Sequence, residues 1–389
     1  MKPFIALPLH RFCLRWILLT VALGGGSVMA ADREEVGDLV ALPLRNGAAT
    51  EQALRPLADR LLPGVAWLEP ARGGRAVVLV TWVSPTGHFL TKSSEVPHLE
   101  KLRLRGLPGE PRRVELCARD EKLDLVLAKI QLAAGESPLA LTTAPWQPAA
   151  DATLGAWLVA PTLPRPEGKN PPLPELRLGV VSAKERAISS QGGAIGITFD
   201  PDSQDTVRIN TIIPDSPAKR AGLRRGDSLL AVDGETVANQ GDVIRRVKRT
   251  PPGRELEFLI RRGDEELRKR IQVASRARMQ TNASGEDFGN GGVSLRTDGF
   301  SRVLQHDLPL APSDMGGPLF TLEGQLVGLN IARADRVTSF ALPARELLPV
   351  LSAWAEEFGF TVSALATAVP LRADPPAPSP AAATGASPR

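Results

Sequence analysis

The chain has 389 residues, 43% of them hydrophobic and 23% charged, with a formal net charge of +4 and 35 residues each of glycine and proline. That length holds two or three domains with sizeable cores. The composition excludes a collagen-like repeat, wholesale disorder and a disulfide scaffold.

Residues 1–30 read as a secretory signal peptide. Lys2, Arg11 and Arg15 make a positive start, Trp16 to Leu23 a short apolar run, and Val28-Met29-Ala30 the cleavage positions. The run is well short of the roughly 20 residues that a membrane span requires. Loss of its three positive charges leaves +1, which removes the compositional support for nucleic-acid binding. Cys13 leaves with the signal, and Cys117, alone in the strand-like run VELCA, is expected to be buried.

Residues 31–64 read as a lead-in with an amphipathic helix, Thr50 to Leu62, stopped by Pro63-Gly64. Short runs rich in Val, Leu and Trp follow between Gly, Pro and charged turns, as in VAWLE, AVVLVTWV and LDLVLAKI; they predict antiparallel β structure over 65–148. A loop with six prolines lies between Pro161 and Pro174, followed by the strand GVVSA. Residues 191–275 alternate strands and turns around one helix, Asn239 to Thr250, with Val243, Ile244 and Val247 on one face. Residues 276–292 are polar and Gly-rich and predict a flexible return linker; strand signals resume at Val293, and a helix is expected around Pro343 to Phe358. Residues 361–389, rich in Pro and Ala, predict a disordered tail.

The run INTIIPDSPAKRAGLRRGDSLLAVDGETV, then the helix, then PPGRELEFLIRRG, resembles a PDZ domain of the bacterial HtrA type. The resemblance places a carboxylate-binding loop at Gly193-Ala194-Ile195-Gly196-Ile197. A peptide would then add as a strand beside Ile197, Thr198 and Phe199 and face Val243 and Val247. The candidate peptide-binding residues are therefore Ala194, Ile195, Gly196, Ile197, Phe199, Val243 and Val247. The plainer reading gives the glycines only a tight turn to serve.

The flanking segments resemble the trypsin-type double β-barrel of the same group. SPTGHFLTKSSEV, LDLVLAKI and QHDLPLAPSDMGGPLF match the segments that carry its histidine, aspartate and serine. The implied fold is mainly β: a trypsin-like double antiparallel β-barrel with an inserted α+β PDZ domain. The first lobe would span 65–148 and the second 149–190 and 293–360, with the PDZ segment inside the second.

Acyl transfer on this fold needs a hydroxyl nucleophile, a histidine base and an orienting aspartate. The matching positions hold Met315, Ser94 and Asp124. A thioether has no proton to lose, and a serine is no base near neutral pH, so two of three roles are empty. The neighbours His88, His98, His306 and Ser313 offer a displaced chemistry only if they converge; otherwise these histidines are packing or surface residues. Ser313, Met315 and Gly316 form the oxyanion-like turn. Val78, Leu79 and Val80 replace the family's Gly-x-Gly with bulk. No metal-ligand spacing and no P-loop is present, and no cofactor is implied.

Three functions follow as expectations. The first is an exported, periplasmic or secreted, pseudoprotease that binds protein C-termini or unfolded polypeptides. The second is an active endopeptidase with non-standard catalytic residues. The third is a structural assembly protein, for which a homo-oligomer is possible.

Overall fold

In a computed structural model the described residues are 44–132, 141–146, 152–163, 173–201, 203, 206–283 and 292–362. The expected signal peptide, most of the tail and much of the proline-rich loop lie outside them.

Helix α1 (Ala48–Leu61) leads into the first lobe. There β1 (Val65–Pro70), β2 (Val78–Trp82), β3 (His88–Lys92), β4 (Leu102–Arg105), β5 (Val114–Asp120) and β6 (Leu125–Ile130) make one antiparallel sheet in the order β4-β1-β2-β3-β6-β5. An isolated bridge from Leu104 to Arg112 brings its two edges together. β2 and β3 are buried on both faces, which explains why their sequences are continuous rather than alternating. One face packs Leu68, Val80, Trp82 and Phe89 inside the lobe. The other contributes Leu90, Leu125 and Leu127 to a core shared with the second lobe. The bulky Val78, Leu79 and Val80 are fully buried in β2.

The second lobe begins with β7 (Trp157–Thr162) and the long β8 (Glu175–Ile188). The chain then builds β9 (Gly193–Ala194), β10 (Ile197–Phe199), β11 (Val207–Ile212), α2 (Pro217–Arg220), β12 (Ser228–Val232), β13 (Glu235–Thr236), α3 (Gln240–Arg249), β14 (Glu255–Arg262) and β15 (Glu265–Gln272). This sheet runs β10-β11-β12-β14-β15, with β13 on β12, around Ile209, Leu229, Phe258 and Ile260. β16 (Ala274–Ser275) returns to pair with β9, and α4 (Arg276–Ala283) follows it. The lobe is completed by β17 (Phe300–His306), β18 (Pro318–Phe320), β19 (Leu326–Arg333) and β20 (Ser339–Pro343), and α5 (Ala344–Phe358) packs Leu347, Leu351 and Trp354 on the shared core. The six barrel strands close in the order β17-β20-β19-β18-β7-β8. β8 and β17 pair directly although residues 189–299 separate them, so the intervening domain leaves and re-enters the barrel between neighbouring strands.

Three sequence expectations are corrected. Residues 276–283 are helix, not flexible linker, because Met279 buries itself against Ala274 and Leu295. Strand structure resumes at Phe300 rather than Val293. Between them, buried Ser294, Thr297 and Asp298 replace ladder bonds with side-chain bonds, as when Thr297 N donates to Ser275 Oγ at 3.0 Å. Cys117 is half-buried rather than buried, since it sits at a register shift on β5, the edge strand of its sheet. Its partial burial raises the thiol pKa.

Candidate functional site

β10 is an edge strand, bonded on one side to β11 through the pairs Ile197–Ile212 and Thr198–Thr211. Opposite its other side stands α3. This helix forms because Asn239 caps it and Asp242 completes a capping box, and its i, i+4 pair Val243 and Val247 is buried against the sheet. Between strand and helix lies a cavity of about 390 Å³ whose lining includes Ile195, Ile197, Phe199, Val243 and Val247.

The closed end of this groove is the loop Gly193 to Ile197. The amide of Ala218 donates to Ile195 O and that of Ile213 to Gly196 O, both at 2.9 Å, which fixes the loop from behind. The amides of Ile195 and Gly196 themselves donate to no acceptor among the described residues. Gly193 has to be glycine: a Cβ there would collide with the carbonyl oxygen of Val247. Ala194 is tied to Ala274 by the short β9–β16 pairing. The structure therefore brings Ala194, Ile195, Gly196, Ile197, Phe199, Val243 and Val247 around one groove. Two cations also line it, Lys248 and Arg276, with no acidic partner among the described residues and no acid in the lining. An extended chain ending in a carboxylate fits this combination of free strand edge, free amides, apolar walls and positive charge.

A different arrangement surrounds Asp124. The β3–β6 ladder sets Lys92 opposite Leu125, and Asp124 sits in the preceding turn with φ 60, a left-handed value that aspartate tolerates better than most residues. Lys92 Nζ donates to Asp124 Oδ2 at 2.8 Å, to Arg296 O at 3.0 Å and to Ile331 O at 2.6 Å, using all three of its protons. Ser94 donates twice to the same carboxylate, from its amide to Oδ1 at 2.7 Å and from Oγ to Oδ2 at 2.8 Å. The Ser94 hydroxyl is thus a donor to an anion already paired with a lysine, and no imidazole among the described residues touches Asp124.

Met315 is fully buried and packs with Leu158, Leu304, Leu310 and Leu319 inside the second barrel. The turn around it differs from an open oxyanion cradle: the Met315 amide donates to Pro312 O at 3.3 Å and the Gly316 amide to Asn330 O at 2.8 Å. Ser313 lies on the same turn, half-buried. Its neighbour Asp314 is buried, accepting from Thr162 Oγ1 at 2.7 Å and the Leu163 amide at 2.9 Å; burial pushes its pKa up to about 6.

His88, His98 and His306 do not converge. His306 is buried against Asn330 Oδ1 at 2.9 Å, and burial pulls its pKa down to about 4. His88 stacks on Phe360 with ring centroids 4.3 Å apart, and burial followed by Lys129 lowers its pKa. His98 meets Glu255 Oε1 at 3.0 Å, across to β14.

That last contact belongs to a junction that covers the Ser94 loop. Gln272 Nε2 donates to Ser94 O at 3.0 Å, and Arg254 pairs with Glu121. Gly253, with φ +93, packs so closely that a Cβ on it would lie 2.6 Å from Ser94 Cα. The inserted domain is therefore seated on the loop that holds Ser94.

The fold is two antiparallel β lobes on a shared core, with a groove-bearing α+β domain inserted in the second. The PDZ domain family matches residues 193–273. The relatives include serine protease HTRA2, mitochondrial, of Bos taurus, 45% identical over 67 residues, which are 17% of this chain and 14% of that one. Serine protease HTRA1 of Xenopus tropicalis is 36% identical over 67 residues, 17% and 14% of the two chains. A probable periplasmic serine endoprotease, DegP-like, of Halomonas elongata is 33% identical over 88 residues, 23% of this chain and 19% of that one. The matched stretches thus span less than a fifth of these relatives' lengths. Among solved structures, the MamO protease domain of Magnetospirillum magneticum covers 75% of this chain and 97% of its own at 15% identity, with a TM-score of 0.37, too low to bear on function. Residues 193–273 are a PDZ domain similar to those of HtrA-type serine proteases, set between neighbouring strands of a closed antiparallel barrel.

Sequence reasoning missed Lys92, Lys248, Arg276 and Met279. LTKSSEV displays Lys92 beside the emptied base position, a signal that could have raised the question of its partner. Nothing local in the sequence points Arg276 or Met279 into the groove.

Proposed function

We propose that this chain is an exported HtrA-like pseudoprotease that binds protein C-termini or extended peptides through its PDZ domain, as an adaptor or scaffold in protein quality control. The observation that carries the binding is the groove: the free edge of β10, the unpartnered amides of Ile195 and Gly196, and the cations Lys248 and Arg276 at one closed end. Loss of peptidase chemistry is supported by Asp124, bonded to Lys92 and Ser94 where an imidazole would have to be, and by Met315 in the barrel core. Export is supported by residues 1–30 and by the periplasmic description of the Halomonas relative.

The test is a C-terminal peptide library on the full chain, with each hit repeated as its amide, run beside fluorophosphonate labelling and casein cleavage. Carboxylate-dependent binding without labelling or cleavage is expected. Labelling of one serine, lost on Ser313→Ala, would instead establish an active endopeptidase. Absence of peptide binding, with self-association on sedimentation, would favour the assembly role.

A further inference from the structure

We propose that the peptide groove is a composite site: Arg276 and Met279 of α4, beyond the matched PDZ residues, complete its carboxylate end, and Glu95 of the first lobe is the positioning residue that holds them there. This rests on the peptide-binding reading above and adds residues to it.

The Arg276 amide donates to Gly192 O at 3.0 Å, which seats the start of α4 beside the carboxylate loop. The Arg276 side chain is exposed and lines the groove next to Lys248. Met279 is buried with Ala274 and Leu295, against Ala194 and Ile213. A Cβ on Gly196 would lie 3.1 Å from Met279 Sδ, so the thioether forms a wall at the loop itself. A ligand carboxylate arriving there meets the amides of Ile195 and Gly196 and two cations that have no acidic partner among the described residues. Its last side chain meets a flexible thioether, which adapts to more than one shape.

An eight-residue helix has little stability of its own. What anchors α4 comes from the barrels. Leu295, which packs on Met279, donates its amide to Glu95 Oε1 at 2.7 Å and accepts from the Ser275 amide at 2.7 Å. Glu95 follows Ser94 on the loop covered by Gly253; burial lowers the pKa of Arg278 in α4 and of Arg220 in α2, and the Glu95 charge opposes that lowering at both. The loop at the emptied base position thus braces the helix that finishes the groove.

The experiment uses the full chain and a fluorescein-labelled octapeptide selected from a C-terminal library, as free acid and as amide. Arg276→Ala, at an exposed position, is expected to weaken the acid about five-fold and leave the amide unchanged. Glu95→Ala should weaken the acid several-fold, while Glu95→Gln, which keeps an oxygen for the Leu295 amide, restores most of the affinity; a merely global defect would not be rescued in this way. Arg268→Ala, on exposed β15, should bind as wild type. Acid-selective binding by wild type with Arg276→Ala unaffected overturns the composite site alone. Equal losses in Glu95→Ala and Glu95→Gln overturn the positioning role. A wild type that does not distinguish acid from amide overturns the peptide-binding reading and this one with it.

Discussion

Lys92 and Asp124 are both buried, at 0% and 3% side-chain exposure, and such a pair is tolerable only when its protons and lone pairs are satisfied. Removing one partner leaves the other charge stranded. Lys92→Met should lower unfolding stability by about 3–5 kcal/mol, and adding Asp124→Asn should recover part of it. Chemical denaturation checks this, and an unchanged midpoint in the single variant would refute it. His306 gives a pH signature. Its folded pKa of about 4 lies below the ordinary 6.5, so in that window the unfolded chain binds more protons and stability falls as pH drops. The full effect is roughly 3 kcal/mol. Asp314 acts oppositely: raised to about 6 from 3.8, it adds stability at low pH that is lost as pH rises through about 6. His306→Gln leaves Asp314 in place, so its smaller loss of stability between pH 7 and pH 4.5, compared with wild type, isolates the imidazole. Identical pH dependence in the two chains would count against a buried neutral His306.

At the scale of elements, α3 and the loop ending at Ile197 make the groove together, and they touch where Gly193 passes the last turn of the helix. Gly193→Ala drives a methyl into the Val247 carbonyl and should push strand and helix apart. Peptide affinity should fall more than ten-fold, with the barrel's circular dichroism kept; retained affinity would mean that the loop yields more easily than its packing indicates. Much of this element-level picture was legible in the sequence. The alternation of strands and turns over residues 191–275 was readable along the chain, and Val243 and Val247 had helical spacing; the Asn239 and Asp242 cap emerged only in the structure. The fate of residues 276–283 was not legible, because a polar stretch without an apolar stripe becomes helical here around buried Met279, whose partners are Ala274 and Leu295.

Across the whole molecule, the inserted domain is held to the first lobe by Gln272 on Ser94, His98 on Glu255 and Arg254 on Glu121. The position where a protease would keep its base open to substrate is under the backbone of Gly253. Placing histidine at 94 and serine at 315 should therefore not by itself produce peptidase chemistry. The double variant Ser94→His, Met315→Ser is expected to cleave no casein and to resist fluorophosphonate, because Lys92 still holds Asp124 and residue 315 still sits in the barrel core. Cleavage by that variant, absent in wild type, would refute this.

By itself the sequence determined what depends on neighbours along the chain: the strand runs, the PDZ segment between two strands of one barrel, and which residue types, Ser94, Asp124 and Met315, stand in the segments that resemble a triad's. Periodicity, turn residues and side-chain chemistry are local properties and can be read in order. Tertiary structure alone decided which groups Lys92 and Asp124 meet. The three acceptors of Lys92 lie 32, 204 and 239 residues away in sequence, and Glu95 reaches Leu295 across 200. Hydrogen bonds act over about 3 Å, so only the folding of two lobes and an insert against one another can say which buried charges meet.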